Sequence, residues 1–345
     1  MPDFPSALRR RRIVLGAVFA VVAGGLSLPG PLRAQAAVPA EPVKVVATFS
    51  ILGDMAREIG GDRVQITTLV GPEQDAHGYE PRPQDVLALR NAQVVVANGL
   101  GFETWLDDLK ASAGFDGVLV VASQHARLRR AGGAGEQEHD DHGHEKHGHD
   151  KHAHEKHDHD KHEHHHEGED DPHAWQDLQN GQRYVEAIAQ GLAQGDPAGA
   201  GYYAQRANDY RQRMQALDDT LRQQLGALPA ERRKVVSSHD AFGYFADAYG
   251  ITFIPVSGLA GKAEVSARGI ARLVDTVKKE KVSGVFVESG SSSRLVEQIA
   301  RETDAVVGGT LYSDALARPG HPADTYLGIF RWNAEQLLQV LGARP

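Results

Sequence analysis

The sequence predicts an α/β protein with two lobes, each built on a mainly parallel four-stranded sheet flanked by helices, and joined by one long rigid helix. Short apolar strands alternate with helical patterns in two separate stretches of the chain, which is typical of βαβ units. A long amphipathic segment lies between those stretches. The length of 345 residues suits about two domains of roughly 150 residues each.

In both stretches, buried apolar runs predict the strands and amphipathic runs predict the helices. The first stretch contains predicted strands Val43–Phe49, Val64–Val70, Val94–Ala97 and Val118–Ala122, and predicted helices Asp54–Ile59, Asp85–Arg90 and Thr104–Lys110. The second stretch contains predicted strands Lys234–Ser237, Ile251–Val256, Val285–Val287 and Ala305–Val307, with helices between them and a last helix near Thr325–Leu341.

The segment between the two stretches, Tyr202–Leu225, predicts a single long helix that ends before Gly226 and Pro229. Its apolar residues recur every three or four positions, at Tyr203, Ala207, Tyr210, Met214, Leu217, Leu221 and Leu225. A helix of about 24 residues is ~36 Å long, enough to connect two domains. We therefore expect lobes over residues 37–196 and 227–345, with the linker helix over 197–226.

Residues 1–36 have the pattern of a cleaved export signal. Four arginines, Arg9–Arg12, precede the apolar run Ile13–Leu28, and Ala34-Gln35-Ala36 provides a small-residue cleavage site. A retained membrane anchor is the alternative, but the run is shorter than the ~20 residues that a bilayer requires. We expect cleavage near Ala36, after export by the Sec route or, because of the paired arginines, by the twin-arginine route.

Cysteine usage and charge exclude several classes of function. The absence of cysteine excludes disulfides, thiolate metal sites and lipid attachment through an N-terminal cysteine, so we expect no lipid anchor. The net charge of −9 is concentrated in residues 136–171, where fourteen Asp or Glu and four Lys give −10. The rest of the chain sums to about +1, and no basic, aromatic-interleaved surface indicates nucleic-acid binding.

A histidine-rich tract over residues 136–169 contains too little apolar surface to fold, and we expect it to be disordered without metal. Five-residue units repeat within it: HGHEK, HGHDK, HAHEK, HDHDK and HEHHH. Neutral imidazole binds zinc, copper and nickel, so the tract predicts weak accessory metal sites. Their histidines are His142, His144, His147, His149, His152, His154, His157, His159, His162 and His164. A solvated acidic linker that binds metal incidentally is the alternative interpretation.

Four further side chains could ligate a metal, and each follows a predicted strand, where open α/β sheets bind ligands. They are His77, His173, His239 and Asp314, in the loops after the second, fourth, fifth and eighth predicted strands. Taken alone, each of these is more often a helix cap or an ordinary loop residue. Two come from each half, however, so together they could hold one ion between the lobes, and three imidazoles with a carboxylate suit tetrahedral Zn²⁺. His125 and His321 lie in polar loops and receive no role.

The motifs around these residues resemble the metal-binding solute-binding proteins of bacterial ABC importers. In chain order they are His77–Pro83 (HGYEPRP), Asn98–Glu103 (NGLGFE), Asp171–Trp175 (DPHAW), Ser238–Phe245 (SHDAFGYF) and Tyr312–Leu316 (YSDAL). The resemblance covers about residues 43–341. It implies a periplasmic protein with one metal between two lobes, bound by His77, His173, His239 and Asp314. It also implies delivery to a membrane permease that is powered by a separate ATPase.

The resemblance also bears on the choice of metal. Family members tuned to manganese carry a carboxylate at the position of His239, and manganese prefers oxygen donors, so this histidine favours Zn²⁺. The histidine-rich tract is similar to that of zinc-uptake members. Some zinc members leave the fourth position to water or a neighbouring glutamate, which leaves Asp314 or water as the fourth ligand. We expect a monomer that captures Zn²⁺ with high affinity, with a periplasmic metal donor as a further partner to consider.

Two other function classes could use the same residues. A periplasmic zinc buffer or a surface adhesin would bind the ion without a permease. An exported zinc hydrolase would need an open coordination position and a base such as Glu80, Asp240 or Glu288. The sequence contains no H-E-x-x-H or G-x-S-x-G motif, so we expect no enzyme. Because only neutral imidazole binds metal, we expect zinc affinity to fall below about pH 6.

Overall fold

The structure is a computed structural model, and it describes residues 41–131, 170–258, 267–291 and 293–342. The predicted export signal (residues 1–36) and the histidine-rich tract (136–169), with its accessory histidines, lie outside the described residues. Among the residues that are described, no helix combines the length and apolar character needed to cross a membrane.

The described ranges contain eight strands and nine α-helices, which alternate along the chain as the sequence predicts. The strands are β1 Val43–Phe49, β2 Val64–Val70, β3 Val94–Ala97, β4 Val118–Val121, β5 Lys234–His239, β6 Thr252–Ser257, β7 Gly284–Val285 and β8 Val306–Val307. The helices are α1 Ser50–Gly60, α2 Pro83–Arg90, α3 Leu106–Ala113, α4 Leu178–Gly195, α5 Ala200–Gly226, α6 Gly243–Tyr249, α7 Ala267–Lys279, α8 Ser293–Glu302 and α9 Tyr326–Gly342.

Each lobe is built on one parallel four-stranded sheet, and the two sheets have the same topology. The strand order is β2-β1-β3-β4 in the N-terminal lobe and β6-β5-β7-β8 in the C-terminal lobe. In both sheets the second strand is added on one side of the first strand and the later strands on the other side. The direction of strand addition therefore reverses between β1 and β3 and between β5 and β7. Such reversal points open a crevice at the carboxyl ends of the strands, where α/β proteins bind ligands. The predicted fold class is confirmed.

Helix α5 joins the lobes over 27 residues, which corresponds to about 40 Å. All seven apolar positions predicted from its periodicity are buried. The helix packs against α1 and α4 on one side of the junction and against α6 and α9 on the other. A short turn capped by the Asp196 carboxylate, which accepts from Gly199 N, precedes it.

Helix α4, which packs along α5, is absent from the sequence-based prediction. Glycine disfavours a helix interior, and Gly181 and Gly191 interrupt the apolar pattern of this segment. In the folded protein both glycines permit close packing. A Cβ at Gly191 would lie 2.0 Å from Val120 Cγ2, and one at Gly181 would lie 2.4 Å from the Tyr326 hydroxyl. The tertiary packing that explains these glycines involves distant residues and is not visible in the local sequence.

The C-terminal sheet is shorter at one edge than predicted. The strand predicted over Val285–Val287 is paired only at Gly284–Val285, and the strand predicted over Ala305–Val307 only at Val306–Val307. In the N-terminal sheet, β4 ends at Val121 instead of Ala122, where a 3₁₀ turn begins. Local hydrophobicity predicts where a strand lies, but pairing with neighbours decides where its ladder ends.

Helices α1 and α9 meet at a buried carboxylate. Asp54 of α1 accepts a hydrogen bond of 2.8 Å from the backbone N–H of Tyr326, the first residue of α9. Burial raises the pKa of Asp54 from 3.8 to about 6. Between pH 3.8 and about pH 6, Asp54 binds more protons in the folded state than in the unfolded state. The free energy of unfolding therefore falls as pH rises through this range.

We predict that Asp54→Asn stabilises the protein at neutral pH. The amide oxygen can still accept from Tyr326 N–H, whereas the cost of ionising a buried carboxyl disappears. The difference between the unfolding free energies of variant and parent should therefore increase, in favour of the variant, by about 3 kcal/mol from pH 3.5 to pH 7. Denaturant unfolding at both pH values measures this difference, with the exposed Asp62→Asn as control. A difference that does not change with pH would contradict the prediction.

Candidate metal centre

The structure brings four sequence-predicted side chains together between the lobes. His77, His173, His239 and Asp314 each offer one ligand atom, and these atoms all lie within 4.8 Å of one another. His173 is fully buried, and the side chains of His239, His77 and Asp314 are only 9%, 11% and 13% exposed. His77 and His173 lie in loops of the N-terminal lobe, His239 is the last residue of β5, and Asp314 lies in the loop that follows β8.

The three histidines direct the same ring atom, Nε2, toward the Asp314 carboxylate. His239 Nε2 lies 3.0 Å from Asp314 Oδ2, and His77 Nε2 lies 3.3 Å from the same oxygen. His173 Nε2 lies 3.6 Å from Asp314 Oδ1 and 3.3 Å from His77 Nε2. A convergence of three imidazole nitrogens and a carboxylate is the ligand set of a tetrahedral metal site.

The loop of His77 is held by a local turn. The Asp75 carboxylate accepts hydrogen bonds from the backbone N–H groups of His77 and Gly78, at 2.9 and 3.1 Å. Aspartate commonly organises turns in this way, by accepting from backbone two residues ahead. The edge of the His77 ring faces Phe102, with centroids 4.6 Å apart, so the imidazole is supported from the apolar side.

The His173 imidazole is oriented by a buried carboxylate on its other nitrogen. Asp171 Oδ1 lies 2.8 Å from His173 Nδ1 and 3.0 Å from the backbone nitrogen of the same residue. The loop itself is tied to the end of β3, because the Asn98 side chain donates to Pro172 O at 2.9 Å. Carboxylates in this position fix the tautomer and orientation of ligating histidines and increase their basicity.

His239 has an equivalent partner in the other lobe. Glu288 Oε2 lies 2.7 Å from His239 Nδ1, and Glu288 Oε1 accepts from the backbone N–H of His239 at 3.0 Å. His239 ends β5 and Glu288 follows β7, so the pair occupies the point where the strand order of the C-terminal sheet reverses. Glu288 is 1% exposed, and both of its carboxylate oxygens contact His239, so it holds this imidazole in place.

The carboxylates shift the protonation of the cluster. Burial lowers the pKa of His239, but the Glu288 and Asp314 charges outweigh it and hold that pKa well above 6.5. Burial raises the pKa of Asp314, but electrostatic attraction to the neighbouring His239 and His173 rings outweighs it, and the pKa lies well below 3.8. Without metal the site therefore holds a proton on His239 against an ionised Asp314, and a bound cation must displace that proton.

Hydrogen bonds within the cluster leave one buried carboxylate oxygen unsatisfied, and a divalent cation would satisfy it. Asp314 Oδ1 is buried and has no hydrogen-bond partner among the described residues. A buried carboxylate oxygen without a partner is costly, and a cation bound between the four side chains would satisfy it. If all four side chains bound a tetrahedral ion, it would have no open position at which to activate water.

Sequence reasoning identified the four clustered residues but missed the roles of two others. Asp171 belongs to a quoted motif without an assigned role, and the Asp-x-His spacing was the available signal. The sequence suggests Glu288 only as a candidate hydrolase base, and no local signal links it to His239, 49 positions away. His125, which is exposed, and His321, which packs against the Trp332 ring, lie outside the cluster.

Comparison with known proteins agrees with this fold. The family model described as "ZnuA: Zinc-uptake complex component A periplasmic" matches residues 45–340. The manganese-binding lipoprotein MntA of Halalkalibacterium halodurans is 31% identical over 301 residues, 87% of this chain and 89% of that protein. The iron-binding protein YfeA of Yersinia pestis is 28% identical over 303 residues, 88% of each chain.

A solved structure supports the same relationship. The periplasmic zinc binding protein TroA from Treponema pallidum aligns with a TM-score of 0.74 at 28% identity, over 88% of this chain and 100% of that one. The family match spans both lobes and every clustered side chain. The chain therefore belongs to the ZnuA family of metal-binding periplasmic solute-binding proteins of ABC importers.

Proposed function

We propose that this protein captures Zn²⁺ with high affinity in the periplasm and delivers it to an ABC permease, whose transport a cytoplasmic ATPase powers. The observation that carries the choice of zinc is the donor set of His77, His173, His239 and Asp314, in which three of four donors are imidazole nitrogens. Zinc accepts this mixture in tetrahedral geometry, whereas manganese prefers oxygen donors. The relatives named as manganese- and iron-binding proteins make those two ions the competitors to test.

The proposed role is transport and not catalysis. Four protein ligands would fill a tetrahedral zinc ion, and Glu80, one of the candidate bases, is exposed. We propose that the protein acts as a monomer. The expectation of no lipid anchor stands against the lipoprotein MntA among its relatives. The histidine-rich tract would bind additional ions weakly and exchange them with the central site.

The first prediction concerns which residues form the tight site. In a variant that lacks residues 136–169, zinc titration against a competing chelator should show one tight site, and the full chain should add only weaker sites. His77→Ala with His173→Ala should abolish the tight site in both backgrounds, because only two donors remain. His125→Ala, an exposed histidine outside the cluster, is the matched control.

Two results would contradict this assignment. Tight stoichiometric binding that survives the double substitution would place the ion elsewhere. If instead deletion of residues 136–169 abolished tight binding, the tract would be the principal site, and zinc storage would replace delivery as the leading function.

The second prediction concerns the carboxylate behind His239. Glu288→Gln should weaken zinc binding about 10- to 100-fold at high pH, the usual effect of removing such a partner. The pKa of His239 should fall in the variant, because a negative charge is lost. In the parent, zinc affinity should decline as pH falls through a His239 pKa above 6.5, whereas in the variant the decline should begin at lower pH.

Affinity measured between pH 5.5 and pH 9 tests both parts of that prediction. The two curves should differ most at high pH and approach each other in acid. Glu297→Gln, an exposed residue on α8, should follow the parent curve. Parallel curves at all pH values would mean that Glu288 does not set the protonation of His239.

The third prediction concerns delivery. In the cell that produces this protein, deletion of its gene should lower zinc accumulation in zinc-poor medium. The parent gene should restore accumulation, and the His77→Ala/His173→Ala variant should not, although both proteins are exported equally. Normal zinc accumulation together with reduced manganese accumulation would instead favour manganese as the transported ion.

A further inference from the structure

The loop that carries Asp314 changes its hydrogen-bond partners just before this residue. Leu311 is bonded to the segment that follows β7, since its N–H donates to Val287 O at 2.8 Å and its carbonyl accepts from Ser289 N at 2.9 Å. Tyr312 is bonded on both its N–H and its carbonyl to the Asn333 side chain of α9, at 2.9 and 2.8 Å. Up to Tyr312, the loop is therefore fixed by the C-terminal half of the chain.

The backbone groups of Ser313 and Leu316, on either side of Asp314, are bonded to the N-terminal lobe. The Ser313 carbonyl accepts two hydrogen bonds, from Trp175 Nε1 at 2.9 Å and from Gln176 Nε2 at 2.7 Å. After Asp314, Leu316 N–H donates to Ser50 Oγ at 2.9 Å, and the Leu316 carbonyl accepts from Glu73 N at 3.0 Å. Asp314 is thus bracketed by bonds to the lobe that also carries His77 and His173.

We propose that Trp175 and Gln176 are positioning residues for Asp314, and that through it they set the relative affinity of the site for Mn²⁺ and Zn²⁺. This inference rests on the proposed ligand set. Trp175 and Gln176 follow the ligand His173 by two and three residues, are 0% and 1% exposed, and reach the carbonyl directly before Asp314. One short segment thereby fixes both a nitrogen ligand and the carboxylate ligand.

The effect should differ between the two ions because they use the ligands differently. Zinc can be held by three imidazoles with water in the fourth position, so displacement of Asp314 removes one of several good donors. Manganese prefers oxygen donors, and Asp314 is the only carboxylate within the four-residue cluster. Loosening the Asp314 loop should therefore cost manganese affinity more than zinc affinity.

The test is Gln176→Met, which keeps the length of the side chain but removes the donor to Ser313 O. Mn²⁺ affinity should fall about 10-fold or more and Zn²⁺ affinity by about 2-fold or less, measured by competition titration of the full chain. Gln336→Met is the matched control, because Gln336 is also buried but lies on α9 beside Gly309. The control should leave the ratio of the two affinities unchanged.

A double-mutant cycle with Asp314→Ala separates positioning from general destabilisation. If Gln176 acts through Asp314, Gln176→Met should have no further effect on either ion once Asp314 is absent. Trp175→Phe, which removes the indole donor but keeps an aromatic ring, should repeat the pattern.

An equal loss for both ions, or a loss that persists in the Asp314→Ala background, would overturn this inference alone. A parent protein with no tight site, or one that Asp314→Ala leaves unchanged for both ions, would overturn the proposed ligand set as well.

Discussion

The site depends on one geometric constraint. Imidazoles from two different sheets must direct Nε2 toward the same point. An imidazole ring can rotate, so convergence requires the opposite nitrogen to be held. Asp171 holds His173 in the N-terminal lobe and Glu288 holds His239 in the C-terminal lobe, at 2.8 and 2.7 Å. Both carboxylates are essentially unexposed, so solvent does not compete for either contact. The ligands are thereby oriented before an ion arrives, which lowers the ordering cost of binding.

The topology explains why these partners meet. Each sheet reverses its strand order beside its first strand, and parallel strands bring all their carboxyl ends to one edge. In the C-terminal sheet this edge joins the end of β5 with the residues after β7, and so joins His239 with Glu288. In the N-terminal sheet, Asn98 after β3 anchors the loop of His173. Helix α5 packs against helices of both lobes, so the two edges face each other across a fixed junction.

Periodicity and motif order were sufficient to predict both sheets, the long helix and the four clustered side chains, because each of these features has a local signature. Features created by tertiary contacts could not be predicted in this way. Helix α4 is obscured by Gly181 and Gly191, whose purpose is close packing against distant residues. The pairing of Glu288 with His239 joins positions 49 apart, and the bonds from Trp175 and Gln176 to Ser313 join positions 138 and 137 apart. A single sequence contains no periodic or spacing signal for such contacts.

The arrangement of charge also bears on how the site can prefer zinc. A buried dication needs nearby negative charge, and a site can provide it through oxygen ligands, which favour manganese. Here only Asp314 supplies its charge in the ligand cluster, whereas Asp171 and Glu288 supply theirs from the far side of an imidazole. Asp171 is also paired with Arg129 at 3.2 Å, which balances part of its charge, and three of the four clustered side chains offer nitrogen donors. Placing Asp171 and Glu288 behind histidines therefore adds negative charge near the cluster without adding oxygen donors to it, and Asp314 is the one carboxylate among the four clustered side chains.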